Sequence, residues 1–215
     1  MTRSPLPVHL AAVALCAGSS LTACGQPPPA ELVEDRRWLV TVYYTAVESF
    51  HDGPLGEVKG CRTRGCATRD ETLGSYPRGF ADAVREEGTG RITSGEHAGR
   101  YLNWSYDIEY WLDDAPRDAH GGVLEPFRSA AADGIPDGTR LRLVDCGTDE
   151  SGRAVPAGAC RTLTAGRWQI RDRFTPGRGG DSHIDLYIGE EDVPDFTTDG
   201  ETYVSLHDAA FAVER

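Results

Sequence analysis

Residues 171–192, RDRFTPGRGGDSHIDLYIGEED, decide how this chain is read. The run Ile184-Asp185-Leu186-Tyr187-Ile188 has the apolar and aromatic makeup of a strand, yet it carries an aspartate at its centre. A second aspartate, Asp172, ends the preceding strand-like run RWQIRD, and a loop containing Gly177, Gly179 and Gly180 separates the two. One carboxylate at a strand end is ordinary. Two that a glycine-rich loop can bring face to face point to shared proton chemistry, because each resists ionising beside the other.

Outward from this stretch, short strands and turns dominate. In RRWLVTVYYTAVESF (36–50), Trp38, Val40, Val42 and Tyr44 alternate with Leu39, Thr41 and Tyr43, the period of a strand. PRGFADAVREEG (77–88) predicts a short helix, with Pro77 at its start and Gly88 as its stop. GRYLNWSYDIEYWLDD (99–114) reads mainly as strand. In 134–146 a Pro-Asp-Gly turn feeds an alternation of Leu141, Leu143 and Asp145. RTLTAGRWQIRD (161–172) and HIDLYIG (183–189) add two strands, and ETYVSLHDAAFAVE (201–214) one or two more. The expected fold is therefore an all-β barrel with insertions.

The N-terminus reads separately. Residues 1–24 begin with Arg3, pass through an apolar run and end in small residues, the pattern of a secretory signal peptide. Its end, Leu21-Thr22-Ala23-Cys24, resembles a bacterial lipobox, which implies a lipid on Cys24 and a protein tethered to the outer face of the cell membrane. The other reading is simple cleavage near Ala23. Residues 25–36, opening GQPPPA, are expected to form an extended, solvated tether.

Composition narrows the function classes. A formal net charge of -12 argues against nucleic acid as a partner. Beyond Cys16 and Cys24, four cysteines remain, and an even number in an exported chain suggests two disulfides. Of the three connectivities, the expected one joins the nearest pairs, Cys61–Cys66 and Cys146–Cys160. A zinc site needs closer paired spacings than these, so no metal is expected. There is no Gly-x-Ser-x-Gly motif to supply a nucleophilic serine.

Three pieces in order resemble the MltA-like lytic transglycosylases and the domain named for three aspartates. PFRSAAAD (126–133) followed by IPDGT (135–139), the RD of 171–172 with its glycine loop, and HIDLYIG (183–189) carry the likeness, with VTVYYT (40–45) as a first strand. The resemblance covers about residues 37–50 and 122–206. It implies a six-stranded double-psi β-barrel over 37–215 with an inserted loop and short-helix region at about 51–121. The loop RFTPGRGGDSHI departs from the family, whose version is shorter and reads G-G-A-I-K-G, and the spacer after Asp133 is shorter than usual.

The resemblance also implies an activity: cleavage of peptidoglycan glycan between N-acetylmuramic acid and N-acetylglucosamine, leaving a 1,6-anhydro product. One carboxylic acid protonates the leaving oxygen and then, as carboxylate, takes the proton of the muramoyl C6 hydroxyl. That scheme needs no cofactor, and a single acid/base suffices where ordinary glycosidases use two carboxylates. Asp185 is expected to be that group, tuned and positioned by Asp172 and Asp133. His183, Gly179, Gly180, Tyr44 and Trp104 are assigned to substrate binding, with Tyr101, Tyr106, Tyr110, Trp111 and Glu48 as further candidates; for aromatics, burial in the core is the competing assignment. The alternative function is a non-catalytic barrel that binds wall glycan or a protein. The chain is expected to act as a monomer, with peptidoglycan and, through its lipid, the membrane as partners.

Overall fold

In a computed structural model, which describes residues 33–214, eleven strands and three helices are built from the pattern above. Strand β1 (Trp38–Val47) sends Trp38, Val40, Val42, Tyr44 and Ala46 into the core, and the intervening Thr41 is left half-buried on the opposite face. Strand β10 (His183–Glu190) does the same: Ile184, Leu186 and Ile188 are buried, each worth about 1.5–3 kcal/mol, while Asp185 faces the other way. That alternation is why an apolar strand tolerates an aspartate at its centre.

Six strands close a barrel. Strands β7 (Ser129–Ala132), β8 (Arg140–Asp145), β9 (Trp168–Asp172) and β11 (Leu206–Val213) join β1 and β10 in the order β10-β7-β9-β8-β11-β1, and β1 pairs back onto β10. The pairs β1–β10 and β7–β9 are parallel and the other four antiparallel. Closure leaves the barrel without free edges. The expected all-β barrel is thus present, and all of its strands come from the two ends of the chain.

Residues 51–121 form a lobe on one side. Its sheet grows from the second half of β1, where Ala46 and Val47 pair with β4 (Thr89–Arg91), followed by β5 (Tyr101–Ser105) and β6 (Glu109–Asp113). A hairpin of β2 (Leu55–Gly60) and β3 (Glu71–Pro77) lies alongside. Helix α1 (Arg78–Glu87) buries Phe80 and Val84 and stops at Gly88, whose φ of 87° a side chain would resist. A Cβ at Gly90 would run into Val84 and Phe80, so glycine lets the helix sit directly on β4.

Both expected disulfides are present: Cys61–Cys66 links the end of β2 to the following loop, and Cys146–Cys160 ties the end of β8 to helix α2 (Ala157–Ala165). Two expectations need correction, on helix α2 and on the tether. Residues 161–165 are helical, because Ala159 and Leu163, one turn apart, are the positions that α2 buries. The segment 201–214, expected to hold one or two strands, has one, Leu206–Val213, preceded by the short helix α3 (Phe196–Asp199). Of the proposed tether, Val33 is fully buried and its carbonyl accepts from Trp38 Nε1 at 3.1 Å, so the barrel's packing starts before Trp38. The signal peptide, Cys24 and the first part of the tether lie outside the described residues.

Candidate active site

The faces of β1 and β10 turned away from the barrel interior carry a row of polar side chains. Parallel pairing sets Thr41 beside Asp185, Leu39 beside His183 and Tyr43 beside Tyr187. The Thr41 hydroxyl donates to Asp185 Oδ1 at 2.7 Å and lies 2.8 Å from His183 Nε2. With Nε2 protonated, His183 donates to Thr41 and Thr41 to Asp185, a relay that orients the imidazole and the carboxyl. Burial holds His183 below the usual imidazole range, which favours its neutral form.

Asp172 joins this face through a bulge. Ala130 pairs with Ile170 but Ala131 pairs with Asp172, so Arg171 is an extra residue in β9. The bulge resets the alternation, and Asp172 comes out on the groove side with Ala131 rather than following Ile170 into the core. Its carboxylate accepts from the Ala119 and Arg173 amides at 2.8 and 2.9 Å and from the Tyr43 hydroxyl at 3.0 Å. Neither flanking arginine pairs with it: Arg171 bonds Glu125 and Arg173 bonds Asp137. Burial still pushes Asp172 above the ordinary carboxylate range, against those three hydrogen bonds.

Burial acts more strongly on Asp185, whose pKa is pushed up to about 7; the Thr41 bond opposes the rise and the Asp172 charge adds to it. A carboxyl in that range is protonated for a useful fraction of time near neutral pH and can also take a proton back.

Tyr43, Asp172, His183 and Asp185 line a groove of about 840 Å³ between barrel and lobe, with Trp104, Tyr106 and Glu87 on the lobe side and Phe174 and Arg178 from the glycine-rich loop. A second cavity of about 750 Å³ over β2, α1 and β6 shares Trp104 and Tyr106 but none of the aspartates.

The other predicted residues fall in different places. Asp133 is exposed and does not line the groove; it sits against Gly179, where a Cβ would overlap its carboxylate and lie 2.6 Å from Phe174. Gly179 therefore lets the loop close over Asp133, while Gly180 is held at φ 145° with open space around it, and neither glycine lines the groove. Tyr44 is buried against Phe196 and Tyr203, so strand alternation gives the groove Tyr43 instead. Trp111 is core, and Tyr101 and Tyr110 spend their hydroxyls on Glu190 and the Ala81 carbonyl. Glu48 is buried elsewhere, accepting from the Thr93 and Ser94 amides at 2.7 and 2.9 Å. Glu191 is also buried and meets His51 at 2.7 Å.

Sequence reasoning missed Tyr43 and Glu87, which line the groove, and Thr41, which bonds to Asp185. Glu87 had a signal: with Glu86 it ends α1, where the negative end of the helix dipole disfavours acidic side chains. Burial pushes its pKa up to about 8, and the charge of Asp185 adds to the rise.

No family model matches the chain, and no curated protein matches it in sequence. Solved structures do match in shape. MltA of Escherichia coli with bound chitohexaose aligns over 81% of this chain and 70% of its own, at 15% identity and a TM-score of 0.52. The membrane-bound lytic murein transglycosylase of Agrobacterium tumefaciens aligns over 87% and 74%, at 11% identity and a TM-score of 0.48. The lytic transglycosylase LtgG of Burkholderia pseudomallei aligns over 82% and 72%, at 14% identity and a TM-score of 0.40. At 15% identity the first of these likenesses speaks for architecture alone: the closed six-stranded barrel of this chain, with its lobe, has the fold of MltA.

Proposed function

We propose that the groove is the active site of a peptidoglycan lytic transglycosylase, with Asp185 as its single acid/base. The observation that carries this is the environment of Asp185: a carboxyl on the groove wall, oriented by Thr41, with its pKa lifted to about 7 by burial and a neighbouring aspartate. The protonated acid gives its proton to the glycosidic oxygen as the bond from muramoyl C1 breaks. The carboxylate left behind takes the proton of the C6 hydroxyl as that oxygen bonds to C1, so the proton balance closes without water. Asp172 keeps the proton on Asp185 by like-charge repulsion, and His183 orients Thr41. Trp104 offers a ring face for a sugar to stack on. The chitohexaose held by MltA supports a glycan in a groove of this architecture.

The two disulfides fit an extracytoplasmic protein. A lipid on Cys24 belongs to this reading as well. A Cys24→Ala variant is expected to move from the membrane fraction to the soluble exported fraction; unchanged fractionation removes the anchor from the proposal.

Mass analysis of purified peptidoglycan after incubation with the protein tests the activity. Muropeptides with 1,6-anhydromuramoyl ends are expected, and they should vanish with Asp185→Asn. Reducing ends in their place would mean a hydrolase. No release from peptidoglycan with which the protein nonetheless sediments would leave a glycan-binding barrel.

A further inference from the structure

We propose that Glu87 binds the glycan as an uncharged carboxylic acid, donating a hydrogen bond into the groove from the wall opposite Asp185. This rests on the reading of the groove as a glycan site and adds a residue from the lobe to it.

The argument starts with the edge of β1. Strand β11 pairs with Trp38 and Val40, and β4 pairs with Ala46 and Val47, which leaves a gap along that edge between the two partners. Glu87 fills it: the Tyr44 amide, which faces the gap, donates to Glu87 Oε2 at 3.3 Å. Gly88 follows at once, and its carbonyl accepts from the Trp104 amide at 2.7 Å, so the helix end is pinned to β5 and the carboxyl to β1 while Glu87 lines the groove. One oxygen is occupied by the amide; the other is left for a ligand.

The surroundings disfavour a charge. Glu86 takes the nearby Arg178, and Glu87 forms no ion pair among the described residues. The titratable groups that act on it are Glu86 from its own helix, Asp185 from β10, Glu191 just beyond β10 and Arg178 from the glycine-rich loop, with the phenols of Tyr44 from β1 and Tyr203 from the segment before β11. All but Arg178 are acidic, and Arg178 is paired with Glu86. A carboxyl among three others, at the negative end of a helix and with its nearest cation held by a neighbour, keeps its proton. A neutral carboxylic acid has what a carboxylate lacks, an O–H donor, and sugar hydroxyl and acetamido oxygens are acceptors. Asp185 cycles its proton while Glu87 keeps its own.

Calorimetric titration with chitohexaose, in an Asp185→Asn background that blocks turnover, tests this. Glu87→Gln keeps an oxygen for the Tyr44 amide and an N–H donor for the groove, whereas Glu87→Ala removes both. At pH 6, Glu87→Ala is expected to weaken binding about tenfold, the loss of one hydrogen bond, and Glu87→Gln by less than about threefold. Binding by the background protein should fall as pH rises and Glu87 ionises. Its midpoint should lie lower than with Asp185 charged, because that charge is gone, and the Gln variant should show no such fall. Equal weakening by Gln and Ala would mean that a carboxylate is required, and an Ala variant binding like its parent would mean that Glu87 does not touch the glycan; either overturns the proposal. So would a parent that fails to bind chitohexaose. If the variants behave as expected but the wild-type protein makes no anhydro ends, the donor role stands and the catalytic reading of the groove falls.

Discussion

The barrel and the inserted lobe build one groove by opposite means. The barrel contributes side chains whose direction follows from strand alternation: Thr41, Tyr43, His183 and Asp185 share a face because every second residue must. The lobe contributes the end of a helix, a tryptophan ring and, at Ala119, nothing but a backbone amide. One region supplies the proposed acid and the other supplies its surroundings. A strand pattern can therefore specify chemistry locally, whereas the environment that tunes the chemistry is assembled from residues far apart in the chain.

The largest expected effect falls on the barrel side. Asp185→Asn should lower the rate of anhydro-end formation by about 10²–10⁴-fold. The same substitution should strengthen the fold at alkaline pH. Asp185 holds its proton to about 7 when folded, against about 4 when unfolded, so ionising it in the barrel costs up to about 4 kcal/mol above pH 7 and nothing below pH 4. Asparagine does not titrate. Its melting temperature should exceed the wild type's at pH 8 and match it near pH 4; a lower one at pH 8 would show that Asp185 is not a strained group.

The disulfides compare the two regions in stability. Replacing Cys146 and Cys160 by serine opens a 14-residue separation in the barrel and should cost about 3 kcal/mol, while replacing Cys61 and Cys66 opens one of 5 in the lobe and should cost about 2. Denaturant melts of the two double variants measure the difference, and the reverse order would break it.

Smaller effects separate binding from tuning. Trp104→Ala should weaken glycan binding about tenfold and leave the pH profile in place, since it removes a stacking face and no charge. Asp172→Asn should move the alkaline limb of activity downward by less than about one pH unit, because losing the neighbouring charge lets Asp185 ionise earlier. An upward shift would mean that the three hydrogen bonds to Asp172, not its charge, control Asp185.

The barrel was legible because its signals are local. Strand β1, the stop of α1 at Gly88, the strands on either side of the glycine loop and both disulfide pairs follow from spacing within a few residues. Helix α2 was missed because it buries only Ala159 and Leu163, too few positions to establish a period beside its β-favouring threonines. The site's parity was hidden as well: nothing in RWQIRD marks the bulge at Arg171 that turns Asp172 outward. Glu191 reads as a solvated turn residue until His51, 140 positions away, is found beside it.

Strand β1 has one more consequence. Its first half is a stave of the barrel and its second half is the first strand of the lobe's sheet, one strand throughout although its pairing with β10 shifts register between Tyr43 and Thr45. The groove is therefore braced by a continuous beam, where a jointed pair of jaws would have a flexible link. Spin labels placed at Arg85 and Asp192 should report the same separation with and without chitohexaose. With that result, a mouth of constant width would not select by closing, and a sugar chain would be recognised by the side chains it passes.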